Sequence, residues 1–195
     1  MRAAAPEETA VFDSIIDPTI GPAADSNQDQ AALAARPVSL SGLRLGLLAN
    51  TKRNAEQFLD QVGRLLGEQY GMTTVLATKK PNIVDTAPEA TLEQLRASCD
   101  VVVTGVGDCG SCSASAVADG LLLERSGVPA AVICSDAFMV SADAMADLRG
   151  APGYRYVTTP HPVANLTPDG VSERARQAIA GIVALLTEPA LTPAP

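Results

Sequence analysis

The sequence predicts a single three-layer α/β domain, in which helices cover both faces of a parallel five-stranded sheet. Apolar residues make up 47% of the 195 residues and aromatic residues only 3%, so the chain can bury a large, aliphatic core. Between residues 43 and 188, short apolar runs alternate five times with segments of helical spacing. Such alternation is typical of parallel sheets of the Rossmann-like or flavodoxin-like class.

The first unit begins with residues 43–49, a short apolar run typical of a buried parallel strand. Asn54 and Gln57 have the spacing of a capping box, which satisfies free N–H groups at a helix start. The apolar residues that follow at helical spacing are Phe58, Leu59, Val62, Leu65 and Leu66. These features predict a strand, a tight loop and an amphipathic helix.

The other units repeat this order along the chain. Further strands are predicted at residues 73–77, 101–104, 130–134 and 154–158. One helix is predicted to follow a capping box at Thr91 and Gln94 and to end near Ser98. A second begins at the cysteine motif and runs through Arg125, and a third lies around residues 142–148. The last begins at Pro168, after an N-cap at Thr167. Ligands of such sheets bind outside the carboxyl ends of the strands. The candidate site segments are therefore residues 50–54, 105–112, 135–138 and 159–165.

The domain organisation follows from where the pattern stops. Residues 1–42 are polar and show no sustained period, so we expect an irregular extension. Within it, residues 11–17 (VFDSIID) are either a short anchoring piece or part of a flexible leader. Residues 43–188 form the predicted catalytic domain, and the proline-containing tail of residues 189–195 should fray.

Charge and composition exclude several function classes. The formal net charge of −8 disfavours nucleic acid and anionic membrane surfaces as partners. No window approaches the roughly 18 apolar residues of a membrane span, and the first ten residues lack the apolar region of a secretory signal. We therefore expect a cytoplasmic protein with reduced thiols, a small-molecule substrate, and an extension that could support homo- or hetero-oligomers.

The strongest chemical signal is a Cys-x-x-Cys motif formed by Cys109 and Cys112, directly after the third strand and at the start of a helix. The N–H groups at a helix start favour the thiolate, which is the nucleophilic form. Cys112 is spaced to resolve a mixed disulfide formed at Cys109. Gly107, Gly110 and Ser111 would let the backbone approach a substrate closely.

Three other interpretations of this segment remain open. The pattern Gly105-x-Gly107-x-x-Gly110 matches a dinucleotide fingerprint, although that motif normally follows the first strand of its unit. A zinc site would need further Cys or His ligands, and the chain has a single histidine, so no metal is expected. The small residues could also simply pack a tight turn.

Further candidates lie in the other segments after strands. His161 is flanked by prolines and could protonate a leaving group or steer a thiolate. Cys99 and Cys134 are expected to be inert, buried thiols. The candidate substrate-binding side chains are Asn50, Lys52, Asn54, Asp136 and Asn165, although Asn54 could act only as a helix cap.

Residues 107–112, with the sequence GDCGSC, resemble the UGSC family, whose selenoprotein members carry selenocysteine where Cys109 stands. Residues 45–59 fit the same family. Residues 127–129 (GVP) and 160–165 (PHPVAN) also resemble the selenoprotein B subunit of glycine, sarcosine and betaine reductases. The chain departs from those subunits in having Cys at position 109 and in lacking their long amino-terminal half.

This resemblance implies reductive cleavage of a small substrate, with Cys109 as the nucleophile, Cys112 as its partner and His161 in the site. Together with the motif, it predicts a thiol-dependent oxidoreductase that binds no cofactor and uses an external thiol or dithiol reductant. Two alternatives remain: a lyase or group transferase that uses Cys109 without a redox cycle, and a non-catalytic partner subunit that docks through residues 11–17.

Overall fold

The short apolar runs form one parallel sheet in the computed structural model, which describes residues 32–188. In this part of the chain the strands are β1 (Arg44–Ala49), β2 (Thr73–Lys79), β3 (Val101–Gly107), β4 (Ala130–Ser135) and β5 (Val157–Thr159). The helices are α1 (Ala55–Tyr70), α2 (Glu89–Ser98), α3 (Gly110–Arg125), α4 (Met139–Leu148) and α5 (Pro168–Thr187), with a short 3₁₀ turn at Asp136–Phe138. The predicted fold class is confirmed.

The core lies on both faces of the sheet, because successive residues of each buried strand point to opposite sides. Leu47 and Val103 pack with α1 and α5 on one face. Leu48 and Val102 pack with α2 on the other face, which α3 and α4 also cover. The core residues are almost all aliphatic, as the composition predicts. No helix in the described part of the chain is long and apolar enough to cross a membrane.

The strand order β2-β1-β3-β4-β5 determines where a site can form. All neighbouring strands are parallel, so every β-to-α loop opens on the same edge. The chain moves outward from β1 to β2 and then crosses back to place β3 on the other side of β1. The loops after β1 and β3 therefore diverge to opposite faces and leave a crevice, as in flavodoxin-like sheets.

The structure corrects two predicted element boundaries. The helix α2 begins at Glu89, because the Pro88 carbonyl accepts the N–H groups of Thr91 and Leu92. Thr91 therefore lies inside the first turn and is not the cap. The fifth strand begins at Val157 rather than residue 154, since the Tyr154 N–H closes a turn to Ala151 and does not join the sheet.

The predicted start of α5 agrees with the structure, whereas β2 and β3 end later than predicted. The Thr167 hydroxyl accepts the Gly170 N–H and caps α5, as predicted. The strand β3 continues beyond the predicted end at Thr104 to Gly107, so it reaches directly to the cysteine motif. Residues 11–17 and the tail of residues 189–195 lie outside the described residues.

The last part of the N-terminal extension is irregular but firmly attached. The carboxylate of Glu124 is fully buried and accepts the backbone N–H of Ala34 and the Arg36 guanidinium, at 3.0 and 2.7 Å. Its second oxygen accepts the Ala130 N–H at the start of β4, at 2.8 Å. One buried carboxylate therefore joins the extension, α3 and β4.

A second buried ion pair fixes the loop after β2. Lys80 is 3% exposed, and its ammonium donates to Asp119 on α3 at 2.7 Å, to Ser115 at 2.5 Å and to the Asp85 carbonyl at 2.7 Å. The other Asp119 oxygen accepts the Ala87 N–H at 2.7 Å. All three ammonium protons are satisfied, so this loop is held against α3.

We expect Asp119→Asn to lower the free energy of unfolding by about 3 kcal/mol, because it leaves the Lys80 ammonium buried without a counter-charge. Urea denaturation measures the change. The matched control is Glu68→Gln, which breaks an exposed ion pair with Arg64 on α1 and should cost less than about 0.5 kcal/mol. Equal losses in the two variants would contradict a structural role for the buried pair.

Candidate active site

The predicted site residues lie in loops that follow β1, β3, β4 and β5, at the carboxyl edge of the sheet. The crevice between the loops after β1 and β3 is the position where ligands bind in sheets of this strand order. The motif Cys109–Cys112 occupies the loop after β3 and the first turn of α3. The candidate residues therefore lie together at the edge that the sequence analysis selected.

Cys109 is the N-cap residue of α3, and its sulfur accepts the backbone N–H of Cys112 at 3.2 Å. The two sulfurs are joined as a disulfide, with the Cα atoms 5.0 Å apart. Cys109 is partly exposed, whereas Cys112 is fully buried. The two sulfurs therefore lie within bonding distance, as the spacing of the motif predicts. Of the two residues, only Cys109 is accessible to solvent.

The position of Cys109 has a chemical consequence for the reduced state. A helix N-cap presents free N–H groups and a partial positive charge, which stabilise a thiolate relative to a thiol. The Ser111 hydroxyl lies 3.6 Å from the Cys109 sulfur and is exposed on the same turn. Ser111 is therefore next to the sulfur that an incoming molecule would meet.

Asp108 is the residue on which the site is organised, and the sequence analysis did not select it. Its side chain is 1% exposed, and its partners include the N–H groups of Val163 at 3.0 Å and Ala164 at 2.9 Å, and Nδ1 of His161 at 2.9 Å. Asp108 directly precedes Cys109, so one residue connects the cysteine motif to the loop after β5. The sequence feature that could have drawn attention to Asp108 is its position between the end of β3 and Cys109.

The electrostatics of Asp108 result from two opposing effects. Burial raises the pKa of the Asp108 carboxyl, but hydrogen bonds from Val163, Ala164, Ser135 and His161 lower it by more in total. The net pKa lies below the ordinary value for aspartate. The buried group is therefore a carboxylate whose lost hydration is replaced by protein donors.

His161 reaches the site although β5 neighbours β4 and not β3. Its ring contacts Asp108 through Nδ1, and the Ser135 hydroxyl lies 3.4 Å from the same nitrogen. Its backbone N–H donates to Asp136 at 3.0 Å, and the Phe138 ring packs edge-on at 5.1 Å. Ser135 and Phe138 belong to the segment after β4 that the sequence selected as a whole. The structure therefore brings His161 to the β3 loop through Asp108.

Asn50 and Asn54 connect loops to one another. The Asn50 amide is buried, donates to the Val106 carbonyl at 2.9 Å and accepts the Lys52 N–H at 3.0 Å. Asn54 precedes α1 in a left-handed conformation, with φ of 68°, but its side chain makes no cap hydrogen bond. The predicted capping box is therefore wrong.

The Asn54 amide instead points toward the loop after β5. It donates to the Val163 and Leu166 carbonyls, both at 3.0 Å, and more distantly to the Ala164 carbonyl at 3.3 Å. Asn54 and Asp108 thus hold the same loop from two sides.

The remaining candidates fall into two groups. Gly107 is buried, and an added Cβ would lie 2.6 Å from the Ser113 hydroxyl, so close packing requires glycine there. Lys52 is half-buried, and its ammonium makes no hydrogen bond or ion pair with the described residues. Gly110 at the start of α3 is partly exposed, and Asp136 and Asn165 are exposed. The residues that are exposed enough to contact a bound molecule are Lys52, Gly110, Asp136 and Asn165. Gly107 is buried and has no side chain with which to do so.

The two remaining cysteines are buried away from solvent. Burial raises the pKa of the Cys134 thiol to about 12 and also raises the pKa of Cys99. Both stay protonated at neutral pH. Among residues 32–188, no group of three or more His, Cys, Asp or Glu side chains is placed to hold a metal ion.

The comparison with protein-family models gives a match to the UGSC family over residues 14–188. The match includes every candidate site residue. No curated protein matches the chain. The similarity to the selenoprotein B subunit therefore stays an expectation from the sequence motifs.

After reduction, limiting iodoacetamide at neutral pH should alkylate Cys109 well before Cys99 and Cys134, because only Cys109 combines exposure with a helix-start position. Peptide mapping by mass spectrometry measures the order. Denatured protein is the control, in which the three thiols should react at similar rates. Faster labelling of either buried thiol in the folded protein would contradict the assignment.

We expect Asp108→Asn to lower the free energy of unfolding by about 2 kcal/mol at neutral pH, since it weakens hydrogen bonds to a charged group. The folded-state pKa lies below the unfolded value of about 3.9, so this stabilisation is present above that value and is lost as the pH falls through the folded-state pKa. Urea denaturation across a pH series should show the difference from wild type shrinking in acid. Asp136→Asn, at an exposed carboxylate, is the control with a small difference throughout. A difference that stays constant with pH would contradict the role of the carboxylate.

Proposed function

We propose that this chain, a member of the UGSC family, is a thiol-dependent oxidoreductase that reductively cleaves a small polar substrate in the crevice beside α3. The observation that carries the proposal is the pairing of a partly exposed Cys109 with a fully buried Cys112 at a helix start. Exposure suits Cys109 to attack a substrate, and burial suits Cys112 to react only with a group already attached to Cys109.

The proposed cycle balances in electrons and protons. The Cys109 thiolate displaces a leaving group from the substrate and forms a covalent sulfur adduct. Cys112 then attacks the Cys109 sulfur, which forms the disulfide and releases the substrate fragment with the bonding electron pair. The fragment and the leaving group each take up one proton. An external thiol or dithiol restores the two thiols by supplying two electrons and two protons.

Several side chains around Cys109 suit this chemistry. The imidazole of His161, which contacts the residue before Cys109, can exchange a proton in the site, and the half-buried Lys52 ammonium is available to a negatively charged or polar substrate group. The N–H groups at the start of α3 favour negative charge on the sulfur or on a bound group. No bound cofactor is needed, because the dithiol holds both electrons.

The proposed compartment and partners follow from charge and thiol state. Two buried free thiols and a reducible disulfide suit a cytoplasmic protein, where external dithiols are available. The net charge of −8 favours a small-molecule substrate over nucleic acid or an anionic membrane. Oligomers through the N-terminal extension remain part of the proposal.

Oxidised glutathione is a probe of the two cysteine roles that does not require the natural substrate. Reduced Cys112→Ser should retain glutathione as a mixed disulfide on Cys109, because the resolving thiol is missing. Wild type should release glutathione and form the internal disulfide. Intact-mass analysis and peptide mapping measure both products.

The control is Cys99→Ser, whose thiol is buried outside the site and should leave the wild-type outcome unchanged. The glutathione adduct should form readily on Cys109 in the Cys112→Ser variant. If Cys112 in the Cys109→Ser variant takes up glutathione equally readily, the assigned roles are overturned. With a substrate found by intact-mass screening of small metabolites, continued turnover of Cys112→Ser would favour a lyase or transferase instead.

A further inference from the structure

The imidazole of His161 is asymmetric in its surroundings. Nδ1 faces the Asp108 carboxylate at 2.9 Å and the Ser135 hydroxyl at 3.4 Å. Nε2, on the other side of the ring, makes no hydrogen bond with any residue from 32 to 188. The side chain is 37% exposed, so Nε2 is the nitrogen available to other molecules.

Neither group that faces Nδ1 has a proton left to donate to it. The Asp108 carboxylate is ionised and carries no proton to donate. Ser135 has a single hydroxyl proton, which is directed to the Gly107 carbonyl at 3.0 Å or to Asp108. Neither neighbour can supply a hydrogen to Nδ1. The proton of a neutral imidazole must therefore lie on Nδ1 to satisfy these contacts.

The contacts around the ring favour this orientation of the imidazole. Two neighbouring backbone N–H groups, of Val163 and Ala164, hold the Asp108 carboxylate in place. The Phe138 ring packs against the imidazole with an interplanar angle of 84°, and Asp136 accepts the His161 backbone N–H. A half-turn of the ring about the Cβ–Cγ bond would exchange Nδ1 with Cδ2, turn that carbon toward the carboxylate and leave a buried charge with one donor fewer.

We infer that Asp108 is a positioning residue that holds His161 in the Nδ1–H tautomer and leaves the Nε2 lone pair as the proton-accepting atom of the site. In this state Nε2 can take a proton from a reacting thiol and later give it to a leaving group, while Asp108 itself stays ionised. Only this use of Nε2 rests on the proposed function. The tautomer itself follows from the contacts of Nδ1 and does not rest on that function.

The test uses the fact that His161 is the only histidine in the chain. Long-range ¹H–¹⁵N correlation spectra of the full protein then contain one imidazole, whose two nitrogen shifts identify the tautomer. At a pH where the titration of this ring shows it to be neutral, the wild-type spectrum should report Nδ1–H. Asp108→Asn, which presents an amide that can donate, should shift the population toward Nε2–H.

Two variants serve as matched controls. Asp136→Asn changes the neighbouring carboxylate, which contacts the His161 backbone but not its ring, and should leave the tautomer unchanged. Ser135→Ala removes the weaker neighbour of Nδ1 and should also leave Nδ1–H dominant. A tautomer that changes in Ser135→Ala but not in Asp108→Asn would overturn the assignment.

The wild-type spectrum alone can refute the inference, so the test does not depend on the folding of Asp108→Asn. A dominant Nε2–H tautomer in wild type would overturn it. Cys109→Ser, which removes the proposed nucleophile, should retain Nδ1–H. The two proposals can fail separately. If the wild-type spectrum shows Nδ1–H but Cys109 does not form the expected glutathione adduct, the proposed function is refuted and the role of Asp108 stands.

Discussion

The hydrogen bonding of one buried carboxylate, that of Asp108, holds the candidate site together. An ionised carboxylate cannot be buried at low cost unless protein donors replace its water. Here the donors come from the loop after β5, which is far from Asp108 in sequence. The need to satisfy this charge therefore brings that loop, and His161 with it, beside the cysteine motif. The position of Cys109 follows directly, because it is the next residue along the chain.

The sheet topology makes this convergence possible but does not complete it. Parallel strands place every β-to-α loop at one edge, yet β5 lies beyond β4 and is separated from β3. Asn54, from the loop after β1, donates to carbonyls of the same β5 loop whose N–H groups bind Asp108. The carbonyl groups of that loop thus bind Asn54, and its N–H groups bind Asp108. The β5 loop is therefore bound both to the loop after β1 and to the end of β3.

The sequence predicted the fold well because the fold depends on local hydrophobic patterns. The buried strands, the amphipathic α1 and the Thr167 cap each have a signal within a few residues. Asn54 shows where this approach fails, since its residue type and spacing fit a helix cap, but its partners are more than 100 residues away. Asp108 shows the same limit, because a lone aspartate beside a cysteine gives no sign of the distant N–H groups that bind it. Long-range hydrogen bonds between polar loops leave no periodic pattern.

The acidic composition of the chain does not set the electrostatics at the sulfur. A net charge of −8 spread over the whole protein is largely screened by salt beyond about 8–10 Å. Cys109 instead experiences the N–H of Cys112 at 3.2 Å and the dipole of α3. The nearest buried negative charge, on Asp108, is compensated by its own donors and directed toward His161. A thiolate can therefore be favoured locally even on a protein whose overall charge is negative.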